Sequence, residues 1–137
     1  MEKYSRYGMM AARILISMVF LLNAFGVIDQ SVPAHEMAAR GAPAGMVPLL
    51  MMSGRAIQLL AGIGLMLGVF PRLSAVALLA FLIPATFIAH SFWLATGTPT
   101  FMGQLINFSK NTAMCGGLLF VAATAEQPAM MRLGHTK

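Results

Sequence analysis

Charge is what this sequence has least of. Aspartate, glutamate, lysine and arginine together make up 9% of its 137 residues, against about 25% in a soluble domain. So few charges cannot wet a protein surface, which excludes an ordinary soluble globule. Cysteine is reduced to Cys115. An intrachain disulfide is therefore excluded, and so is a Cys-x-x-Cys pair for zinc or redox chemistry. No flavin, haem or iron–sulfur motif occurs, and a single histidine within the apolar runs cannot make a bis-histidine haem site. The net charge of +5 and pI of about 10.2 would raise nucleic acid as a partner in a soluble chain. Here the nine cations are spread singly, without an aromatic-interleaved basic patch, and nucleic acid is excluded.

What is present is apolar. Hydrophobic residues make up 58% of the chain and mean hydropathy is +0.78. The 13 methionines read as adaptable packing; a copper-thioether site would need them clustered with histidine. The length suits one domain, and no internal repeat or low-complexity tract is evident.

A membrane-crossing helix needs about 20 apolar residues, and four such runs are expected, over about 10–28, 46–70, 73–94 and 105–125. The first, with Lys3 and Arg6 before it, has the look of a signal peptide. It lacks a small-residue cleavage site after Ile28, and three more spans follow, so it reads as a retained helix. The segment from Asp29 to Pro43 is polar enough to leave the membrane core. Pro71-Arg72 marks a tight turn, since proline cannot continue a helical ladder. Thr96 to Thr100 forms a loop, and Glu126 to Lys137 a tail in water.

Backbone groups in lipid must be satisfied within each span, so the expected fold is an all-α, integral membrane four-helix bundle. Gly62, Gly64, Gly68, Gly116 and Gly117 would allow close helix approach. Four spans put both termini on one side. That side collects Lys3, Arg6, Arg13, Arg72, Arg132 and Lys137, against Arg40 and Lys110 on the other. The positive-inside rule then places the N- and C-termini in the cytoplasm, and the bilayer is the first partner.

Polar residues inside spans are costly and tend to mark sites. In this topology they gather at one depth, the outer half. Arg55, Gln58 and Gly62 are spaced i, i+3, i+7; Thr86, His90 and Trp93 i, i+4, i+7; Asn107, Lys110 and Asn111 i, i+3, i+4. Each set lies on one helix face, and the three faces can share an interior, which is how sites between bundle helices are built. Pro84 could kink the third span and open space beside His90.

Each residue also has a plainer reading. Arg55 can pair with Asp29 or snorkel, although it sits about 12 Å from its helix start at 1.5 Å per residue. Lys110 can be an interface anchor and Trp93 part of an aromatic belt. Asn107 and Asn111 can cap the fourth helix, and Gln58 can be interhelical glue. His90 can be a satisfied interior histidine, although it is also the natural proton carrier near neutral pH. Cys115 reads as packing.

The chain also carries Gly41-Ala42-Pro43, Gly68-Val69-Phe70-Pro71-Arg72, His90-Ser91-Phe92-Trp93 and Ile106-Asn107-Phe108-Ser109-Lys110-Asn111, then Gly116-Gly117-Leu118-Leu119. In this order the set resembles the DoxX family. The similarity covers nearly the whole chain and rests on the ordered set rather than on any one motif. Arg72, His90, Trp93, Asn107, Phe108, Lys110 and Asn111 match the pattern. The resemblance implies a four-helix protein of the bacterial inner membrane, with relatives linked to thiosulfate:quinone oxidoreductase and quinol oxidase assemblies and to quinone or thiol stress. Two positions depart from it. Gln58 stands where many members have glutamate, and the stretch Ala24 to Ile28 lacks a lysine common there, as if an ion pair had been replaced by neutral groups.

Three functions compete. The first is a membrane redox subunit binding a quinone or a small anion in the outer half. His90, Asn111, Lys110 and Gln58 would donate to carbonyl oxygens, Trp93 and Phe108 would stack on the ring, and Arg55 or Lys110 would stabilise negative charge. The second is a non-catalytic accessory subunit that anchors a larger membrane or peripheral oxidoreductase, or a homo-oligomer. The third is a small carrier, which the apolar inner half disfavours because a path needs polar lining throughout.

Overall fold

The computed structural model describes residues 2–29 and 31–125. Among them are five α-helices and no strand: α1 Glu2–Ala24, α2 Ser31–Ala39, α3 Val47–Leu67, α4 Pro71–Ala89 and α5 Phe101–Thr124, with a short 3-10 helix at Phe92–Ala95. Three stretches are long and apolar enough to cross a membrane: Arg6–Ala24, Val47–Leu67 and Pro71–Ala95. α5 has the length, 24 residues, but Gln104, Asn107, Lys110 and Asn111 dilute its apolar character. The expected tail from Glu126 to Lys137, with Arg132 and Lys137, lies outside the described residues.

The helix ends differ from expectation for local reasons. α1 stops at Ala24 rather than Ile28, and Gly26 follows in the left-handed conformation, φ +75°. The segment expected as a loop contains α2, at whose start Asp29 accepts from the Ser31 N–H at 2.9 Å and the Ser31 hydroxyl at 2.6 Å. α4 stops at Ala89 rather than Leu94, with His90 as its C-cap donating N–H to the Thr86 carbonyl at 3.0 Å. α5 begins a turn earlier than expected, at Phe101.

The α3–α4 break is made three residues before Pro71, at Gly68. Gly68, at φ +75°, donates its N–H to the Leu65 carbonyl at 3.2 Å. Pro71 then opens α4, where its missing N–H costs nothing. The Arg13 guanidinium lies against Gly68, with Nη1 3.0 Å from where a Cβ would stand.

α1 packs on α3, α3 on α4 and α4 on α5, while α1 and α5 meet over a shorter stretch. Chain order puts the end of α1, the start of α3, the end of α4 and the start of α5 at one end with α2, here termed the α2 end. Towards the opposite end lies a dense core of Phe20, Leu65, Ala75, Leu78 and Leu118. Large apolar side chains also face outwards; Leu60 is 72% exposed and Leu73 67%. An apolar exterior over an apolar core suits lipid, where close packing rather than the hydrophobic effect holds helices together. Gly64 is such a contact: an added Cβ would stand 2.5 Å from Ser74 Oγ and 3.2 Å from the Val69 carbonyl oxygen. Gly62 meets Leu21 of α1 and Gly117 meets Ile16, but Gly116, also expected to serve close approach, faces open space.

Candidate functional site

A cavity of about 690 Å³ lies at the α2 end, within the usual range for small-molecule sites. Its walls come from all the long helices: Val19, Phe20 and Asn23 of α1, Gly54 and Gln58 of α3, Leu82, Ala85 and Ala89 of α4, and a polar strip on α5. Pro33 and Met37 of α2 close it over, with Ile28, Asp29, Pro99 and Thr100. Most of the lining is apolar, and the polar groups are few and convergent.

Five of the eight residues singled out from sequence line this cavity: Gln58, His90, Asn107, Lys110 and Asn111. The α5 strip exists because Asn107 and Asn111 share a face at i, i+4, with Lys110 beside them. They lie well inside α5, which excludes the capping role open to them from sequence. The Asn111 Nδ2 donates to Thr86 Oγ1 at 3.1 Å, and the Thr86 hydroxyl donates to the Leu82 carbonyl at 2.7 Å. Gln58, 3% exposed, donates Nε2 to the Gly54 carbonyl of its own helix at 3.3 Å. That bond is intrahelical rather than interhelical glue.

The other three do not line it. Arg55 is exposed on α3, with Nη2 4.0 Å from the position a Cβ would take on Gly26. Its long side chain thus reaches back along α3 to the end of α1, in the manner of a snorkelling residue. Trp93 and Phe108 join Phe87, Phe92 and Phe101 in an aromatic cluster, with ring centroids 5.2–6.2 Å apart. Most of these pairs meet edge to face, the preferred arrangement. Ring stacking by Trp93 and Phe108 inside the cavity therefore drops out.

Sequence reasoning missed Gln104. It lines the cavity, and its Oε1 lies 2.9 Å from His90 Nδ1. A carboxamide oxygen can only accept, so His90 donates from Nδ1 and turns Nε2 towards the rest of the site. The signal is present in the sequence: Gln104, Asn107 and Asn111 are spaced i, i+3, i+7, but a fourth span beginning at residue 105 leaves Gln104 out. Asn23, also on the lining, is the one carboxamide in the first apolar run and was passed over.

A second hollow, of about 530 Å³, opens sideways between α2, α3 and α4. Pro84 lines this hollow and not the space beside His90 as expected. The Phe81 ring rests on α3 at Gly54, its Cε2 2.9 Å from where a Cβ would be. Arg40 pins α2 to the end of α4, its Nη2 donating to Ser91 Oγ at 2.7 Å, while the Ser91 hydroxyl donates to the Phe87 carbonyl.

Chemically, the cavity offers carboxamides from α1, α3 and α5, one imidazole, one ammonium and the Asp29 carboxylate, set among apolar walls. Such a set holds a carbonyl or anionic oxygen by hydrogen bonds and positions a proton at His90. No group of three His, Cys, Asp or Glu side chains able to hold a metal converges among the described residues.

Comparison with known proteins places the chain in a family. The chain is 29% identical over 125 residues to the inner membrane protein YqjF of Escherichia coli K12, covering 90% of this chain and 88% of that protein. It is 28% identical over 117 residues to the inner membrane protein YphA of the same organism, covering 85% and 81%. No solved structure matches it. Residues 8–91 match the profile of the DoxX family. That match takes in α1 to α4 and His90, and the chain belongs to the DoxX family.

Proposed function

We propose that the chain is a multi-pass subunit of a redox system in the bacterial inner membrane, binding a quinone or a small anion in the cavity at the α2 end. In this reading α1, α3, α4 and α5 all cross the bilayer as a four-helix bundle, with both termini cytoplasmic. Arg6, Arg13 and Arg72 lie towards the end with the α3–α4 turn, and Arg40 and Lys110 towards the α2 end. The positive-inside rule turns the former inwards, and the cavity falls in the outer half.

The observation that carries the reading is the convergence of Gln58, His90, Gln104, Lys110 and Asn111 from three helices on one cavity. The fit to a quinone is direct. The volume suits a ring, the donors suit its carbonyl oxygens, and the apolar wall suits its body. Lys110 supplies the positive charge that favours a reduced, more negative oxygen. His90, oriented by Gln104, can hold or pass a proton at Nε2. A bound quinone would supply two-electron chemistry that the side chains lack, with electrons from a partner subunit or soluble donor. The dense core of Leu65, Leu78 and Leu118 beyond the cavity favours a site over a transport path.

The test is equilibrium binding of a soluble benzoquinone to the purified protein. Wild type binds, Lys110→Ala and His90→Ala each weaken binding about tenfold or more, and Arg55→Ala leaves it unchanged. Equal affinity of wild type, Lys110→Ala and His90→Ala would sink the reading.

A further inference from the structure

The two hollows share a partition. Met37, Leu50, Gly54, Phe81, Ala85 and Ile88 line both the polar cavity and the sideways groove. Side chains form most of this wall, and its two largest movable members are an unbranched methionine and a phenylalanine ring seated on a glycine. Methionine is the most adaptable of apolar side chains, so the wall can part without moving backbone.

The groove is chemically one-sided. Its polar side chains are Arg40 and Ser53. The Ser53 hydroxyl donates to the Leu50 carbonyl at 2.9 Å, and Arg40 is engaged with Ser91, Phe87 and Glu36. Both polar side chains thus have partners within the protein, and the rest of the lining is apolar. Its walls run over Leu50–Ile57 of α3 and Ala80–Ile88 of α4, inside two stretches apolar enough to cross a membrane. At 1.5 Å per residue the α3 wall is about 10 Å long. The opening therefore faces lipid.

We infer that the ligand of the polar cavity is an amphiphile: its carbonyl-bearing head lies against Gln58, His90 and Lys110, and its apolar tail leaves through the α3–α4 groove into the bilayer. This rests on the site reading above and deepens it. It selects a tailed, lipid-soluble quinone over a small water-soluble anion, and it makes the bilayer the route of access.

The experiment compares two probes, a dimethoxy-methyl-benzoquinone carrying a decyl tail and the same ring without one, on protein in lipid nanodiscs. The tailed probe is expected to bind at least tenfold more tightly. Ala80→Trp and Ser53→Trp fill the groove from exposed positions, outside the packed core, and a melting curve checks each fold. Both variants should abolish the advantage of the tail and leave the tail-less affinity unchanged. A photoreactive group at the tip of the tail should label the peptides of α3 and α4 that wall the groove. Equal affinity of the two probes, an undiminished tail advantage in both tryptophan variants, or labelling confined to α1 and α5 would overturn the inference. If head binding still depends on His90 and Lys110 in that case, the site reading stands without the groove. If neither probe binds wild type, both fall together.

Discussion

Gln104 and His90 form the pair on which the site turns. An imidazole in an apolar surround can take either tautomer and several ring orientations. One carboxamide oxygen 2.9 Å from Nδ1 selects among them. Replacing Gln104 by leucine keeps the bulk and removes that acceptor. We expect quinone affinity to fall several-fold while helix content is unchanged, read by binding and circular dichroism. Gln104→Glu, which restores an acceptor, should recover most of it. The half-buried Asn111–Thr86 bond makes a separate prediction. Asn111→Leu should lower stability by about 1 kcal/mol, in the range of interhelical hydrogen bonds in membrane proteins, measured by thermal unfolding in detergent. Legibility at this scale was uneven. Spacing identifies a face, and it found Gln58, His90, Asn107, Lys110 and Asn111. Spacing does not weigh side-chain reach. Arg55 is rotated about 60° from Gln58 around α3, and its long side chain carries the guanidinium past the cavity to Gly26. Gln104 escaped for a different reason: a helix start set one turn late hides whatever lies on that turn.

At the scale of elements, α2 shows what composition leaves unsaid. The segment from Asp29 to Pro43 carries prolines, charges and small residues, and by pattern it is a loop. It is helical because a local cap and a tertiary contact support it: Asp29 receives two hydrogen bonds from Ser31 at its start, and Arg40 ties its far end to Ser91. Arg40→Ala should therefore raise amide hydrogen exchange across Ser31–Ala39. Glu36→Ala should do so much less, because its exposed i,i+4 pair with Arg40, at 3.4 Å, belongs to a class worth only a few tenths of a kcal/mol. α1, α3 and α4 were legible because apolar length alone identifies them. Which glycines matter was not, since sequence cannot say what stands opposite. Gly64→Ala drives a methyl into Ser74 and the Val69 carbonyl and should cost about 1–3 kcal/mol by overpacking. Gly116→Ala, facing open space, should leave the melting temperature unchanged or slightly raised.

For the whole molecule, the charges at its two ends set which way it sits in the membrane. The distribution of cations predicts a cytoplasmic C-terminus. A reporter enzyme fused there, active only in the periplasm, should be silent, and a cytoplasm-dependent fluorophore should light up; the reverse result would invert every statement about an outer half. The architecture divides the labour along its length. Close packing is concentrated towards the α3–α4 turn, and the polar cavity, the groove and α2 lie at the opposite end. A protein built this way can loosen one end to admit a ligand while the other keeps its helices in register.

The aromatic cluster has a practical consequence. Trp93 is the only tryptophan in the chain, and it stands three residues from His90 among four phenylalanine rings. The only two tyrosines, Tyr4 and Tyr7, lie in the first turns of α1, at the far end. Excitation selective for indole therefore reports on the cavity end alone, and phenol emission on the other. The native protein is already a two-colour optical instrument, able to show without any label whether its two ends respond to a ligand together or apart.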